Sequence, residues 1–439
     1  MNHILIISLG NSPEPVVNCI NSLRPDRAVF VCSDGTRHLV DAVLSRARLA
    51  SFDPERDVMQ LQQRLKRKQD ASVINELDQL DRVYERAREL IHTLREEAPG
   101  ARLTLDYTGG TKTMAAGLAM AAVDDGRVEL SVTTSERSKD QATISGYSVP
   151  VPVSMAAIQA YRLLDQDLPQ LLKRYDYAAA EQAVQRIARL PDQDVETRAT
   201  LQRLASVLVA LDAWDRFDHR QAVGVLEGLA DRSLDQHLLF PLKRVIASRR
   251  CLDPDAEAEN WPHMRGGHGF EAVEDLLNNA ERRACQDRFD DAVGRLYRAM
   301  ELAAQLVLKL GHQLETGSID LEKLPESLRE KYALKQEQQG ETALKLGLRA
   351  SYDLLAELED PVGICWAGRR QKLLDALNTR NTSLFAHGFR SVDYSAWMPF
   401  RDVLGGFLKD VVVIQNTGQR CSELPQLPSR LDQLLQADD

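Results

Sequence analysis

The chain changes texture once, and that change limits what it can fold into. Up to about residue 155, short β-branched apolar runs alternate with helical stretches; beyond it only helical periodicity continues, to about residue 430. HILIISL (3–9), AVFVCS (28–33), RLTLDY (102–107), VELSVTT (128–134) and TISGYSVPV (143–151) read as strands. Helices are expected at about 14–23, over most of 59–97, and in the small-residue run TMAAGLAMAAV (113–123). Short buried strands separated by helices predict a mainly parallel, Rossmann-like α/β sheet with helices on both faces. Ligands of such sheets sit beyond the C-terminal strand ends. Three loops follow strands directly: GNSPEP (10–15), SDGT (33–36) and TGGTKT (108–113).

The helical remainder carries a loosely recurring phrase: Tyr175-Asp176-Tyr177 with Ala180, Phe217-Asp218-His219 with Ala222, and Phe289-Asp290-Asp291 with Ala292. Each suggests an aromatic wedge and a turn before a new helix, though the period is too irregular for a true repeat array. LDPDAEAENWPHMRGGHG (252–269) is rich in Pro, Gly, Asp and Glu and reads as a boundary. Three segments are therefore expected: a sheet domain over 1–155, an all-α linker over 156–260 and an all-α domain over 261–439.

The formal net charge of −10 argues against broad electrostatic attachment to nucleic acid and leaves room for a local basic site. No apolar run reaches the ~18 residues of a membrane span, and MNHILIISLG reads as a buried strand rather than a leader. Cysteines stand at 19, 32, 251, 285, 365 and 421 without a CxxC pair, so reduced thiols in a cytoplasm are expected, with no structural zinc.

In TGGTKT, Gly109 and Gly110 allow backbone N–H groups to approach a ligand. The next helix should start near Thr111–Thr113, with its free N–H groups facing the loop and Lys112 adding positive charge. A tight strand-to-helix turn with a surface lysine would read the same way. The loop lacks the GxxxxGK[ST] spacing of a nucleotide hydrolase, and GNSPEP is not GxGxxG, so metal-dependent ATP hydrolysis is not indicated. Asn11 and Ser12 are placed to cap the first helix or to touch a ligand. Ser33 ends the second strand, and Ser135, Glu136 and Arg137 follow VELSVTT.

Near the C-terminus, LLDALNTRNTSLFAHGF predicts a helix over Arg370–Ala386 stopped by Gly388. Arg380 and His387 are two helical turns apart, on nearly one face and about 10 Å apart along the axis. Histidine moves protons near neutral pH, and arginine holds phosphoryl oxygens as their charge changes. Together they suit metal-free RNA cleavage, with Asn381 beside them as an orienting group. A helix-closing histidine with an unrelated surface arginine is the plainer reading. HMRGGH, with His263 and His268, is a rival site whose glycines favour a loop. RFDDAVGRLYRAMELAAQLVLKL (288–310) is an amphipathic helix with Ala292, Leu296, Met300 and Ala303 on or near one face. Its Glu301 either pairs with Arg298 or orients Arg380.

Taken together, strand–GNSPEP, strand–CSD, strand–DYTGGTKTM and strand–TTSERSKD resemble a CARF domain, the sensor of CRISPR-associated proteins. RFDDAVGRLYRAMELAAQ and RNTSLFAHG resemble a HEPN ribonuclease domain. The whole chain resembles the stand-alone CRISPR type III accessory ribonucleases of prokaryotes, most weakly over 156–255. The resemblance implies a cytoplasmic homodimer that needs no cofactor. Two CARF domains would share one pocket for cyclic tetra-adenylate or hexa-adenylate, an allosteric activator. The contacts that carry over are Gly10, Asn11, Ser12, Ser33, Thr108, Gly109, Gly110, Thr111, Lys112, Ser135 and Arg137. Arg380, Asn381 and His387 would meet their copies in a groove that cleaves single-stranded RNA. Some relatives also degrade their activator slowly. A ligand-binding regulator without nuclease activity is the alternative.

Overall fold

The computed structural model describes residues 2–61, 76–137, 143–190, 193–250, 252, 267–381, 391–417 and 421–435, and only the backbone at 135–137, 143–147 and 379–381. Contacts divide the chain into two units, Met1–Arg162 with Leu190–Gln193, and Leu163–Arg189 with Asp194–Asp439.

The first unit is a six-stranded sheet: β1 (His3–Ser8), β2 (Arg27–Ser33), β3 (Val58–Leu61), β4 (Arg102–Asp106), β5 (Glu129–Arg137) and β6 (Thr143–Val153). Their order is β3-β2-β1-β4-β5-β6. The first five are parallel and β6 runs antiparallel to β5. Alternate side chains feed two cores. Ile4, Ile6, Val29, Val31, Leu103 and Leu105 pack with α3 (Leu80–Glu97) and α4 (Lys112–Asp125). Leu5, Ile7, Ala28, Phe30 and Cys32 pack with α1 (Glu14–Leu23) and α2 (Leu39–Leu44). Both faces are covered, which is why the central strands read as continuous apolar runs. Each fully buried Leu or Ile contributes ~1.5–3 kcal/mol. One more helix, α5 (Ala156–Arg162), ends this unit.

Three expectations are corrected. VMQL forms β3, a short edge strand, where the sequence pattern indicated helix; four residues are too few to show an alternation. Ser135, Glu136 and Arg137 lie inside β5, not after it, because β6 pairs that far along and extends the ladder. Asn11 and Ser12 do not cap α1, whose N-cap is Pro13 without a side-chain bond.

The second unit is all helical among the described residues apart from isolated bridges. Its main helices are α6 (Leu168–Lys173), α7 (Tyr177–Ala188), α8 (Val195–Asp215), α9 (His219–Leu229), α10 (Phe240–Arg249), α11 (Glu271–Cys285), α12 (Phe289–His312), α13 (Glu326–Gln339), α14 (Leu348–Glu357), α15 (Pro361–Asn381) and α16 (Tyr394–Gln415). One turn makes four of the helix–helix joints. Tyr175, Phe217, Asp287 and Glu359 are left-handed, with φ of 54°, 63°, 61° and 57°. The next N–H reaches back five residues each time: Asp176 to Leu171 O (3.0 Å), Asp218 to Ala213 O (2.8 Å), Arg288 to Arg283 O (3.0 Å) and Asp360 to Leu355 O (3.0 Å). This is a Schellman stop. At three joints the following aspartate then accepts an N–H of the new helix, from Ala179, Gln221 or Val362.

The recurring phrase in the sequence marks these joints, but its third copy is shifted. Asp287, not Phe289, occupies the left-handed position of Tyr175 and Phe217. The expected helix over Arg370–Ala386 also begins earlier, at Pro361, whose ring suits a first helical turn.

Buried polar contacts join α8 to α11. Asp215 accepts Arg282 Nε (2.7 Å) and Asn279 Nδ2 (3.0 Å), and Asp275 accepts Trp214 Nε1 (3.0 Å). A C-terminal strap crosses α7, α10 and α11. Its Ser422 takes Arg244, Leu424 N–H donates to Glu274, Gln426 takes Arg282, and Pro428 O takes the Tyr177 hydroxyl. No helix among the described residues is long and apolar enough to cross a membrane.

Left-handed backbone disfavours every residue with a Cβ. Asp287 is exposed, so Asp287→Gly is expected to stabilise the helical unit by ~0.5–1 kcal/mol, read as a raised thermal midpoint.

Candidate functional site

In the strand order 3-2-1-4-5-6 the chain reverses direction across the sheet between β1 and β4, where α/β sheets open a crevice. The loops following these two strands are GNSPEP and TGGTKT. They touch backbone to backbone. A Cβ on Gly109 would lie 2.2 Å from Ser8 O, and one on Gly10 would lie 2.8 Å from Gly110 N. Gly110 has φ +85°, closed to most side chains. The glycines are thus required by loop-to-loop packing and by one left-handed turn.

Thr111 caps α4 by accepting the Met114 N–H at 3.1 Å, and its hydroxyl donates to Leu77 O at 3.3 Å. Lys112 is the first helical residue and is exposed, as are Asn11 and Ser12. Ser33 is buried in a turn whose Thr36 hydroxyl lies 3.1 Å from the Ser33 Oγ and donates to Leu9 O at 3.3 Å. The third loop is therefore tied to the first. Gly10, Asn11, Ser12, Ser33 and Thr108–Lys112 gather at one edge of the sheet. Ser135 and Arg137 lie on β5, with side chains outside the described residues.

Asp106 organises this edge, and the sequence reading passed over it. Its Oδ2 accepts the Ser131 hydroxyl (3.1 Å), the Thr133 hydroxyl (2.9 Å) and the Cys19 thiol (3.6 Å); its Oδ1 accepts the Thr108 N–H (3.0 Å). Thr108 Oγ1 in turn accepts the Thr133 N–H at 2.5 Å. Burial, reinforced by the Asp106 charge, pushes the Cys19 thiol pKa up. The available signal was an acidic residue at the end of a strand whose other inner residues are Leu103, Thr104 and Leu105.

In the helical unit, α15 is held on three sides. Trp366 stacks on Tyr352 of α14 at 4.7 Å, with Phe407 of α16 edge-on to Tyr352 at 5.4 Å. Arg370 makes two 3.0 Å bonds to Asp353, and Arg369 pairs with Asp410 at 2.6 Å. The Tyr352 hydroxyl donates to Met300 O of α12 at 2.9 Å. The last turn of α15 carries Arg380 and Asn381; their side chains, and His387 altogether, lie outside the described residues. A groove of about 620 Å³ follows α15 toward that turn, with Tyr297, Lys335, Arg349, Asp353, Leu377 and Asn378 in its walls. Ala292, Leu296, Met300 and Ala303 of α12 are buried as expected, and Glu301 pairs with Arg298 at 3.5 Å. His268 is not an open-loop residue. It is 5% exposed and bonds Glu274 at 3.0 Å, while His263 lies outside the described residues. Among the described residues, no group of three or more His, Cys, Asp or Glu is placed to hold a metal.

Residues 264–410 match the family described as the Csm6 HEPN domain. The helical unit holds a HEPN domain. It includes α11, α12 and α15, and its matched range takes in Arg380 and His387. No curated protein matches the chain in sequence. Among solved structures, Csm6 of Enterococcus italicus, bound to cyclic hexa-2'-fluoro-hexa-dAMP, aligns with a TM-score of 0.60 at 14% identity, over 95% of this chain and 94% of that chain. The likeness is one of fold and spans nearly the whole of each chain. A Rossmann-like sheet domain followed by an all-α region that matches a HEPN domain is the fold this chain shares with that Csm6 structure.

Because a Cβ at Gly109 has no room beside Ser8 O, Gly109→Ala should destabilise the sheet domain by ~1–3 kcal/mol. Gly224→Ala, where the added Cβ meets nothing within 4 Å inside α9, should instead stabilise. Thermal unfolding of the two variants reads the contrast.

Proposed function

We propose that the chain is a cyclic-oligoadenylate-activated endoribonuclease of CRISPR type III antiviral defence. It cleaves single-stranded RNA by attack of a ribose 2′-hydroxyl on the adjacent phosphate. The observation that carries this reading is the HEPN match over 264–410, which contains the Arg380–Asn381–His387 motif. His387 moves the proton, Arg380 holds the phosphoryl oxygens as charge builds, and Asn381 orients the reacting group. No metal is called for, because the nucleophile is part of the substrate. One helix end offers an incomplete site, so the working form is a homodimer in which two motifs face one RNA. The groove beside α15 supports this reading, offering Lys335 and Arg349 to phosphate and Tyr297 to a base.

The regulatory site is the edge built from Gly10, Asn11, Ser12, Ser33, Thr108 and Gly109–Lys112, joined by Ser135 and Arg137. The Enterococcus italicus relative was solved with a cyclic hexanucleotide analogue, which supports cyclic hexa-adenylate or its tetra-adenylate counterpart as the activator. Lys112 and the first turn of α4 suit its phosphates. The domain boundaries that follow are sensor 1–155, linker 156–260 and nuclease 261–439.

His387→Ala should lower activated RNA cleavage by ~10²–10⁴-fold while activator binding persists, and Arg380→Ala should be comparably damaging. Wild-type cleavage should survive EDTA and leave a 2′,3′-cyclic phosphate, seen by end-group analysis. A primary 3′-hydroxyl product would overturn the mechanism. Lys112→Ala should weaken cyclic oligoadenylate binding in calorimetry without lowering the melting temperature; unchanged affinity would remove Lys112 from the activator site.

A further inference from the structure

A second cavity lies in the helical unit, with no residue of α15 in its walls. We propose that a cavity of about 560 Å³ bordered by α9, α10, α11 and α12 binds a nucleoside phosphate. The volume suits one such unit, since small-molecule sites span ~300–1,000 Å³. Among the described residues its walls carry the guanidinium groups of Arg249, Arg295 and Arg298 and the carboxylate of Asp275. Phe217, Leu276 and Leu302 supply apolar surface on which a base can rest.

The polar wall is built in advance of any ligand. Arg249 Nη1 donates to His219 Nδ1 at 2.8 Å. Arginine can only donate, so Nδ1 accepts and the ring proton sits on Nε2. That N–H meets Asp275 Oδ2 at 3.1 Å, and Asp275 Oδ1 takes the Trp214 indole N–H at 3.0 Å. His219, Asp275 and Trp214 are all at most 4% exposed. A chain of buried bonds thus fixes one guanidinium at the cavity, as binding sites require of their supporting groups. Arg295 is steadied by its Nε bond to Asn279 at 3.2 Å, and Arg298 by Gln305 at 3.1 Å. Their carboxylate neighbours are loose: Asp291 lies 3.8 Å from Arg295 and Glu301 lies 3.5 Å from Arg298. Such partly exposed pairs are weak and yield readily to a phosphate.

Gly294 adds a separate observation. It lies inside the continuous helix α12, where glycine is unfavourable relative to alanine. A Cβ there would meet nothing within 4 Å, so packing does not call for glycine. Gly294 lines the cavity, and its bare backbone leaves a flat floor against which a planar base or a ribose can lie.

The nucleoside phosphate can be a free nucleotide or one unit of an RNA strand. Calorimetry on the full chain separates these sources, using AMP, inorganic phosphate and a short 2′-O-methyl RNA that resists cleavage. The comparison is wild type and Arg295→Gln/Arg298→Gln. Both arginines are at least a third exposed, so the double variant should fold, and its melting temperature checks this. AMP or the RNA should bind wild type and bind the double variant about tenfold or more weakly. Preference for AMP identifies a free nucleotide, and preference for RNA identifies a strand. The proposal falls if neither probe binds wild type, if the folded double variant binds both as tightly, or if inorganic phosphate binds as well as the better probe.

Discussion

Two carboxylates sealed between α8 and α11 hold the helical unit in its arrangement. Asp215 is 8% exposed and Asp275 is 1% exposed. Neither can stay charged in an apolar setting without partners, and removing one side of such a buried pair costs ~3–5 kcal/mol. The partners come from the facing helix and its neighbours: Arg282 and Asn279 for Asp215, and Trp214 and His219 for Asp275. Because polar bonds are directional, they set the register of α8 on α11 more tightly than apolar contact alone would. The same seam reaches Arg249 through His219 and Arg295 through Asn279, so the cavity inherits its geometry from the packing of the unit. Helices α6–α10 and α11–α16 consequently belong to one compact unit, with the C-terminal strap tied to α7, α10 and α11.

The sheet domain depends on a smaller constraint. Its two switch-point loops can approach only because Gly10 and Gly109 lack a Cβ. That contact brings the Thr111 cap and Lys112 beside the β1 loop, while Asp106 beneath them ties β4 to β5 through the Ser131 and Thr133 hydroxyls and to α1 through the Cys19 thiol. An exposed cationic helix start is thereby mounted on a rigid floor. A charged ligand could be read there without ordering a loop first, which lowers the entropic cost of binding.

Much of this was legible in the residues. Strands buried on both faces are rich in β-branched and other apolar residues, so β1, β2 and β4 could be read from composition over five to seven residues. The Thr111 cap and the glycine stop of α4 at Gly126 are local signals, as is the amphipathic stripe of α12. The edge strand β3 was hidden because four residues carry no period. The third helix joint was misregistered because its left-handed residue is Asp287, where an aromatic wedge had been expected.

Local chemistry alone decides which residues turn, cap and pair along one element. The sequence by itself therefore determined the two textures of the chain, the glycine–threonine loop at a strand end, and the RNTSLFAH pattern near the C-terminus. Other features depend on groups far apart in the chain. Ser8 O meets Gly109 across a hundred residues, Asp106 gathers Cys19 and Thr133, and His219 joins Arg249 to Asp275. No periodicity records such meetings, because each is set by how elements pack once the apolar faces have closed. Only the tertiary structure could decide that the loop glycines serve packing, that His268 is buried, and that a cavity with arginines in its walls lies between helices with no shared motif.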